Sequence, residues 1–292
     1  MYVLGSLSAI GAAVFFGFIG PTTKTAYNLG AGIALAIILR YIVASLLITP
    51  ALVFKPPTLN IFKKNLKLLM IFTIGSIFLT TGLLSAVNFI EVSLTMLIFA
   101  TYPMIVLIFS IFINKEKILF RKKIFFFIAF IGIFFVLGPS FEKLNFPGII
   151  SAVTASFGAS IMIISNQKMS DLKINPFHIH IFTNSFNSVF FILVVYLFFD
   201  LNINISSNAW IVIFISTIFY TIAFILQLFA IQQIGQSRTA LLLYIEPVVG
   251  ILGATILLSE MLNNFQVLGV FIVIFSLISG TYESKKTKSA SS

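Results

Sequence analysis

The sequence predicts an all-α, polytopic membrane protein whose ten transmembrane helices form two inverted five-helix repeats. The first observation is composition: 59% of residues are hydrophobic, 9% are charged, and the mean hydropathy is +1.12. A soluble domain of this length needs more charge to cover its surface. The second is that apolar runs reach about 20 residues, which crosses the hydrocarbon core, and lack the alternation of a β-barrel. The third is a repeat of motifs between the two halves.

Ten apolar segments are separated by polar breaks such as NKEKILFRKK and DLNINISSN. Because the breaks are short, consecutive helices are expected to pack antiparallel. The predicted spans cover residues 3–23, 32–53, 68–87, 93–113, 124–141, 147–166, 177–199, 209–230, 238–258 and 265–282.

The distribution of basic residues predicts the orientation. Of the 18 Lys and Arg residues, fifteen fall on the side of the N-terminus, two (Lys24 and Lys143) fall on the other side, and Arg40 lies within the second span. By the positive-inside rule, both termini are expected in the cytoplasm. The net charge of +10 therefore indicates membrane topology and not nucleic-acid binding, since the lysines form no basic face. We expect a multi-pass protein of the cell inner membrane, and the lack of cysteine fits this without identifying it.

A repeat connects the two halves. Small residues recur every fourth position in the first and sixth spans, at an offset of 143 residues, and such stripes let helices approach closely in lipid. The fourth and ninth spans agree at an offset of 144. The stripes are Gly5, Ala9, Ala13, Gly17 and Gly148, Ala152, Ser156, Ser160; the identities are Ala86/Ala230, Ile90/Ile234, Ser93/Ser237, Thr95/Thr239, Leu97/Leu241, Pro103/Pro247 and Glu116/Glu260. We expect one repeat over 1–145, a second over 146–283, and a polar tail over 284–292.

Five spans per repeat make the two repeats enter the membrane in opposite directions, because five is odd. Inverted repeats of this kind place a substrate site near the bilayer midplane, where the halves meet. The sequence therefore predicts a small-molecule site between the repeats.

Two motifs carry a resemblance to a known family. Tyr244-Ile-Glu-Pro-Val-Val through Leu257-Leu-Ser-Glu260, and Tyr102-Pro103 through Asn114-Lys-Glu116, resemble the two repeat signatures of the drug/metabolite transporter superfamily, in its EamA-type branch. The resemblance covers the chain from the first span to the last. It implies ten helices and transport of amino acids, nucleobase-like compounds, other metabolites or drugs, mostly by export. Where such proteins have a Trp-Gly pair in the first span, this chain has Phe16-Gly17.

Two charged residues lie inside predicted spans. Glu246 and Arg40 are each about 12 Å from the nearer end of their helices at 1.5 Å per residue, on opposite sides of the midplane. A lone acid at that depth costs roughly 2.5–3.5 kcal/mol on insertion scales. Glu246 is expected either to face a cavity, where it binds a substrate amine or carries a proton, or to be a structural group. Arg40 could pair with Glu246, bind a substrate carboxylate, or extend to the membrane surface.

Other candidates for substrate binding or gating follow from the motifs and from polar side chains in the spans. The matched prolines break the helical hydrogen-bond ladder and free a carbonyl one turn earlier, which predicts hinges or cavity walls. Tyr102 holds the repeat position of Glu246. The remaining candidates are Pro103, Pro247, Tyr244, Phe16, Asn88 and Gln227.

The predicted function is a secondary transporter that moves a small metabolite or drug by alternating access, as an exporter. The alternative is a membrane-embedded enzyme acting on a lipid-soluble substrate, and a channel or scaffold is a lesser alternative. We expect no catalytic residue, cofactor or metal: His178 and His180 are two apart and face different sides of a helix, and no metalloprotease, hydrolase or nucleotide-binding motif occurs. The expected partners are the substrate and the lipid bilayer, and a homodimer is left open.

Overall fold

The structure of the chain is a computed structural model. It describes residues 2–54, 59–102, 145–172, 174–198, 201–234 and 245–265, with separate positions between 105 and 135 and between 239 and 279. The described helices are α1 (Tyr2–Asn28), α2 (Ile33–Phe54), α3 (Leu59–Phe89), α4 (Val92–Phe99), α5 (Phe146–Asp171), α6 (Pro176–Phe198), α7 (Ser207–Ile234), α8 (Ile245–Leu258) and α9 (Val267–Ser276).

Six of these helices are long and apolar enough to cross a membrane: α1, α2, α3, α5, α6 and α7. They correspond to the first three predicted spans and to the sixth, seventh and eighth. The described residues form nine helices, so the prediction of ten is not confirmed. Only scattered positions of the predicted fifth span, 124–141, belong to the described residues, and the orientation of the chain in the membrane stays a prediction.

Local capping fixes where three helices begin. The side-chain oxygens of Asn145, Asn175 and Ser206 accept hydrogen bonds from backbone N–H groups in the first turns of α5, α6 and α7, at 3.1, 3.0 and 3.1 Å. These N-caps satisfy donors that an α-helix leaves free at its start. At the end of α1, Gly30 adopts a left-handed φ of 99°, which ends the helix and turns the chain towards α2.

The fourth predicted span, 93–113, departs from a continuous helix. Helix α4 ends at Phe99, and a turn at Ala100 and Thr101 follows. A proline has no N–H to donate and its ring clashes with the carbonyl four residues earlier, so Pro103 in the sequence explains a break after Phe99. The carbonyls at the break are satisfied from α5. The single Ser156 hydroxyl proton is shared between the Ile98, Phe99 and Ala152 oxygens, at 3.1, 3.2 and 3.1 Å, and the Ser160 hydroxyl donates to the Tyr102 oxygen at 2.9 Å.

The packing of the helices has the symmetry of two repeats. The two most extensive helix pairs are α1 with α7 and α3 with α5. In the predicted repeats these pairs are equivalent, since the first and sixth spans correspond, as do the third and eighth. Helices α2 and α6, which also correspond, pack against each other, and α4 packs against α8.

The small residues of the two stripes lie at the contacts between these helices. A Cβ on Gly5 would lie 2.8 Å from Ile234 Cγ2, and a Cβ on Gly148 would lie 2.6 Å from Ile90 Cγ2. Both glycines and both isoleucines are repeat-matched pairs. One stripe position further along, Ala9 packs with Ala230 and Ala152 packs with Ala86 in the same way. The offsets read from the sequence therefore correspond to equivalent contacts in the structure.

The two ends of the bundle can be named from these contacts. At one end, which we call the Lys24 end, Lys24 Nζ donates to the Asn88 carbonyl at 3.1 Å, and Glu260 accepts from the start of α4. At the other, which we call the Gln233 end, Gly5 packs against Gln233. The distribution of basic residues predicts that the Lys24 end faces outwards.

We predict that Gly82→Ala destabilises the protein while Gly11→Ala does not. A Cβ on Gly82 would lie 2.5 Å from Ala155 N and Ser151 O, both backbone atoms that cannot move aside, whereas a Cβ on Gly11 would meet only a leucine methyl group at 3.2 Å. Overpacking costs roughly 1–3 kcal/mol, and helix propensity alone would instead favour alanine by about 1 kcal/mol. The measurement is the melting temperature in detergent; a rise for both variants would contradict close α3–α5 packing.

Candidate functional site: a central cavity between the repeats

A cavity of about 170 Å³ lies where α1, α2, α3, α4, α5, α7 and α8 meet. Its apolar lining is Phe16, Ile19, Phe72, Leu79, Leu83, Phe99, Ala159, Met162, Ile163, Phe224, Ile231 and Leu243. Its polar and charged lining is Arg40, Thr80, Tyr102, Asn166, Tyr220, Gln227, Thr239 and Glu246. A mostly apolar wall with a few polar groups is typical of small-molecule sites.

The structure brings together five of the residues singled out from the sequence: Glu246, Arg40, Tyr102, Phe16 and Gln227 all line the cavity.

The other candidates lie elsewhere. Asn88 is exposed at the end of α3, where its carbonyl oxygen accepts from Lys24, and it does not reach the cavity. Pro247 is buried in α8 behind the lining. Pro103 and Tyr244 lie outside the described residues.

The cavity lies between the two repeats. Many of its lining residues occupy equivalent positions in the two repeats. At the offset of 143 the matched pairs are Phe16/Ala159 and Ile19/Met162; at the offset of 144 they are Thr80/Phe224, Leu83/Gln227, Phe99/Leu243 and Tyr102/Glu246. Equivalent positions in the two halves thus face one space. Where the members of a pair differ in polarity, as Tyr102 and Glu246 do, the cavity is chemically uneven.

Arg40 is a buried cation at the cavity wall. Its side chain is 4% exposed, and its guanidinium carbon lies 4.8 Å from the centre of the Tyr220 ring. The face of an aromatic ring attracts a cation but does not neutralise it. Within the part of the chain that the structure describes, no ion pair joins Arg40 to Glu246. The pairing that the sequence allowed is therefore absent here, and the guanidinium can take an anionic ligand.

Glu246 enters the cavity from the first turn of α8. Its position is fixed by close backbone packing: a Cβ on Gly17 would lie 2.8 Å from the Glu246 carbonyl oxygen, so α1 lies directly against this turn. Among the described residues, no basic side chain pairs with the carboxylate. An acid among apolar walls with no protein cation is costly unless it holds a proton or a cationic ligand.

Sequence reasoning missed Thr80, Asn166, Tyr220 and Thr239 as lining residues. Two signals could have found some of them. One face of the sixth span carries residues three or four positions apart: Ala159, Met162, Ile163 and Asn166. The Asn166 amide therefore faces the same way as the three apolar residues. Thr239 is the repeat match of Thr95.

His180 supports the cavity wall without lining it. Its ring centre lies 6.1 Å from that of Phe72 and 4.0 Å from that of Phe224, both lining residues, and its edge-on contacts hold the two phenylalanines in place. This places the histidine behind the apolar side of the site.

A second polar cluster joins α2, α3 and α6 away from the cavity. Asn187 donates to the Ser76 hydroxyl at 3.2 Å, Tyr41 donates to the Ser76 carbonyl at 2.9 Å, and the hydroxyls of Thr73 and Thr183 lie 3.2 Å apart. Polar bonds between helices of this kind hold membrane bundles together. The cluster fixes α2, which carries Arg40.

Comparison with known proteins agrees with this architecture. The model of the EamA-like transporter family matches residues 3–138 and again residues 146–279. The chain belongs to the EamA-like transporter family. It is accordingly a multi-pass membrane protein of a family that transports small solutes. No curated protein matches the sequence.

A solved structure shows the same fold. It is described as "Crystal structure of protein" and superposes with a TM-score of 0.70 at 14% identity, over 98% of this chain and 99% of the other. At that identity the similarity establishes the fold alone. This EamA-like protein therefore shares its architecture along nearly the whole length of the chain.

We predict that Tyr220→Leu lowers the melting temperature more than Tyr220→Phe. Phenylalanine keeps the ring face under the Arg40 guanidinium, and leucine removes it. A cation–π contact contributes about 0.5–2 kcal/mol, more where water is excluded. Thermal unfolding of the purified variants in one detergent measures the difference. Equal melting temperatures would show that Arg40 gains nothing from the ring.

Proposed function

We propose that this EamA-like protein is a secondary transporter of a small amphipathic metabolite, such as an amino acid, which it exports by alternating access. The observation that carries the proposal is the presence of a guanidinium and a carboxyl group, those of Arg40 and Glu246, that line one cavity between the repeats and do not pair with each other. Two groups of this kind in such a place lower their energy by binding a ligand that bears the complementary charges.

The lining chemistry supports a zwitterionic, partly apolar substrate. A guanidinium binds a carboxylate through paired N–H donors, and a carboxylate binds an ammonium group. Phe16, Phe99 and Phe224 provide apolar surface for the remainder of the molecule. The volume of about 170 Å³ favours a small metabolite over a drug, since drug-sized ligands occupy cavities of about 300 Å³ or more.

The position of the cavity indicates which end of the bundle it faces in this conformation, whereas export is proposed from the resemblance to EamA-type transporters. It extends to Ile231, three residues before the end of α7, and so approaches the Gln233 end, whereas on α1 it goes no further than Ile19. If the Gln233 end is cytoplasmic, as the basic residues predict, the cavity in this conformation takes its substrate from the cytoplasm. We propose a proton or substrate gradient across the cell inner membrane as the driving force, and a homodimer as an assembly that light scattering can test.

The enzyme alternative predicts a different experimental result. An enzyme would convert a lipid-soluble substrate in detergent with no gradient, whereas a transporter produces flux only across a sealed membrane. Counterflow in proteoliposomes, after a thermal-shift screen of metabolites, separates the two functions.

We predict that Glu246→Gln lowers counterflow at least about tenfold while the amount of folded protein stays normal. The amide keeps the size of the side chain and loses the charge that binds an ammonium group or a proton, and each tenfold change corresponds to about 1.4 kcal/mol. The matched control is Glu91→Gln, which removes an exposed carboxylate outside the cavity. Normal counterflow in Glu246→Gln would remove this acid from the mechanism.

We predict that Arg40→Gln discriminates between ligands that differ by a carboxylate. An amino acid that stabilises the parent protein should lose most of its thermal shift, because its carboxylate loses the guanidinium partner. The decarboxylated amine of the same side chain should keep whatever shift it has. Equal losses for both ligands would show that Arg40 maintains the shape of the cavity and does not bind the carboxylate.

A further inference from the structure

A carboxylate from the second half of the chain holds the start of α4 at the Lys24 end. Glu260 Oε1 accepts from Val92 N at 2.9 Å, and Glu260 Oε2 accepts from Ser93 N at 3.0 Å and from the Ser93 hydroxyl at 2.8 Å. A charged acceptor at the first N–H groups of a helix also meets the positive end of the helix dipole. These three bonds directly connect the two repeats.

The contact replaces a cap that α4 lacks. Helices α5, α6 and α7 are capped by the residue that precedes them, but Glu91 at the N-cap of α4 makes no side-chain hydrogen bond to the helix. The free N–H groups of α4 therefore depend on Glu260, which lies 168 residues from Val92 in sequence. A helix whose cap comes from the other repeat is held only while the repeats stay together at this end.

The backbone before Glu260 is bent to direct it there. Ser259 follows the last residue of α8 with a φ of 56°, the left-handed region that a residue with a Cβ rarely adopts. The turn lets Glu260 N donate to the Ala254 carbonyl at 3.4 Å. The side chain then points back across the bundle to α4, and the strain at Ser259 is offset by the bonds that Glu260 makes.

Close packing lies directly beneath these bonds. Met96 of α4 lies between two glycines: a Cβ on Gly20 would be 2.6 Å from Met96 Cε, and a Cβ on Gly250 would be 2.9 Å from Met96 Cγ. Leu83, which lines the cavity, packs in the same cluster as Met96 and Val92. The path from the cavity to the Lys24 end is thus closed by α1, α4 and α8 at Met96, and Glu260 ties α4 to α8 above that point.

Two further charges face Glu260. Lys24 comes from the last turns of α1, and Glu91 stands beside the start of α4. Partial desolvation of the carboxyl group, and then the nearby Glu260 carboxylate, raise the pKa of Glu91, while Lys24 acts in the opposite direction. Glu91 is a second carboxylate beside the start of α4 that makes no side-chain hydrogen bond to the helix, so it serves as the control for charge.

We propose that Glu260 is a gating residue: by capping α4 from the other repeat, it holds the Lys24 end of the transport path closed, and its release from Val92 and Ser93 accompanies opening of that end. The inference rests on the proposed alternating access. A purely structural cap would stabilise the fold equally in every conformation, so the test must report which end of the cavity is open.

The experiment uses single cysteines, which are the only thiols because the chain has none of its own. Leu83→Cys places a thiol between the cavity and the closed point, and Leu29→Cys, in the exposed turn after α1, identifies the membrane face of the Lys24 end. Sealed vesicles are treated on each face with a membrane-impermeant maleimide, and the labelling rate of Leu83→Cys is measured with Glu260 intact and with Glu260→Ala.

We expect Glu260→Ala to raise the labelling rate from the Lys24 face at least about tenfold, because the loss of charge-assisted hydrogen bonds shifts the equilibrium by that factor or more. Labelling from the opposite face should fall. Ser93→Ala and Glu260→Gln, which remove some of the bonds, should give smaller shifts in the same direction, and Glu91→Ala should leave both rates unchanged.

Two results would overturn the gate: unchanged rates in all Glu260 variants, or rates that rise equally from both faces, which indicate general loosening. If Glu260→Ala does not fold, the graded rates of Ser93→Ala and Glu260→Gln decide the question. The labelling needs no substrate. A failed counterflow assay therefore counts against the proposed transport, and unchanged labelling counts against the gate alone.

Discussion

Close approach of helix backbones is the constraint on which this structure depends. Lipid supplies no hydrophobic force between helices, so their association comes from packing and from interhelical hydrogen bonds. The stripes on α1 and α5 provide that packing, because Gly5 and Gly148 let the helices reach Ile234 and Ile90. Larger residues would separate α1 from α7 and α3 from α5, and the cavity between the repeats would lose its walls.

The backbone polar groups of helix α4 are also constrained by the membrane. It is short and broken, and in a membrane each free backbone group needs a partner. The second half of the chain supplies partners at both of its ends: Glu260 caps its start, and Ser156 takes up the carbonyls at its finish. The carbonyls at the break accept hydrogen bonds from Ser156 and Ser160. The residues on either side of the break, Phe99 and Tyr102, both line the cavity.

The cavity combines near symmetry of position with asymmetry of charge. Tyr102 and Glu246 occupy equivalent places, and so do Leu83 and Gln227. Equivalent contacts therefore occur in the two halves, which is the arrangement found in transporters built from inverted repeats. The differences between matched residues give the site its polarity. Glu246 and Arg40 both line this cavity without pairing with each other in this conformation.

Much of this architecture could be predicted because a bilayer imposes strong, local rules. Span length follows from membrane thickness, and the offsets of 143 and 144 residues placed Gly5 and Ile234 in the same relation as Gly148 and Ile90 before any contact was known. Six predicted spans are long apolar helices in the structure. Five of the candidate site residues line the cavity, chiefly because a charged or amide side chain in an apolar run must face protein or water.

The remainder could not be predicted, because it depends on which helix faces meet. Asn88 and Gln227 look alike as amides near the ends of spans, yet only Gln227 reaches the cavity. Periodicity places a residue on a face but does not say which neighbour covers that face. The contact between Arg40 and the Tyr220 ring joins residues 180 positions apart, and the hydrogen bond between Val92 and Glu260 joins residues 168 positions apart.

The sequence alone thus determined the membrane location, the helical class and the repeat, since these follow from composition and spacing along the chain. Tertiary structure alone decided that Arg40 and Glu246 stay apart, that Ser156 and Ser160 satisfy the broken helix, and that Glu260 caps α4. Those outcomes depend on distances between segments far apart in sequence, and such distances are fixed only when the helices pack.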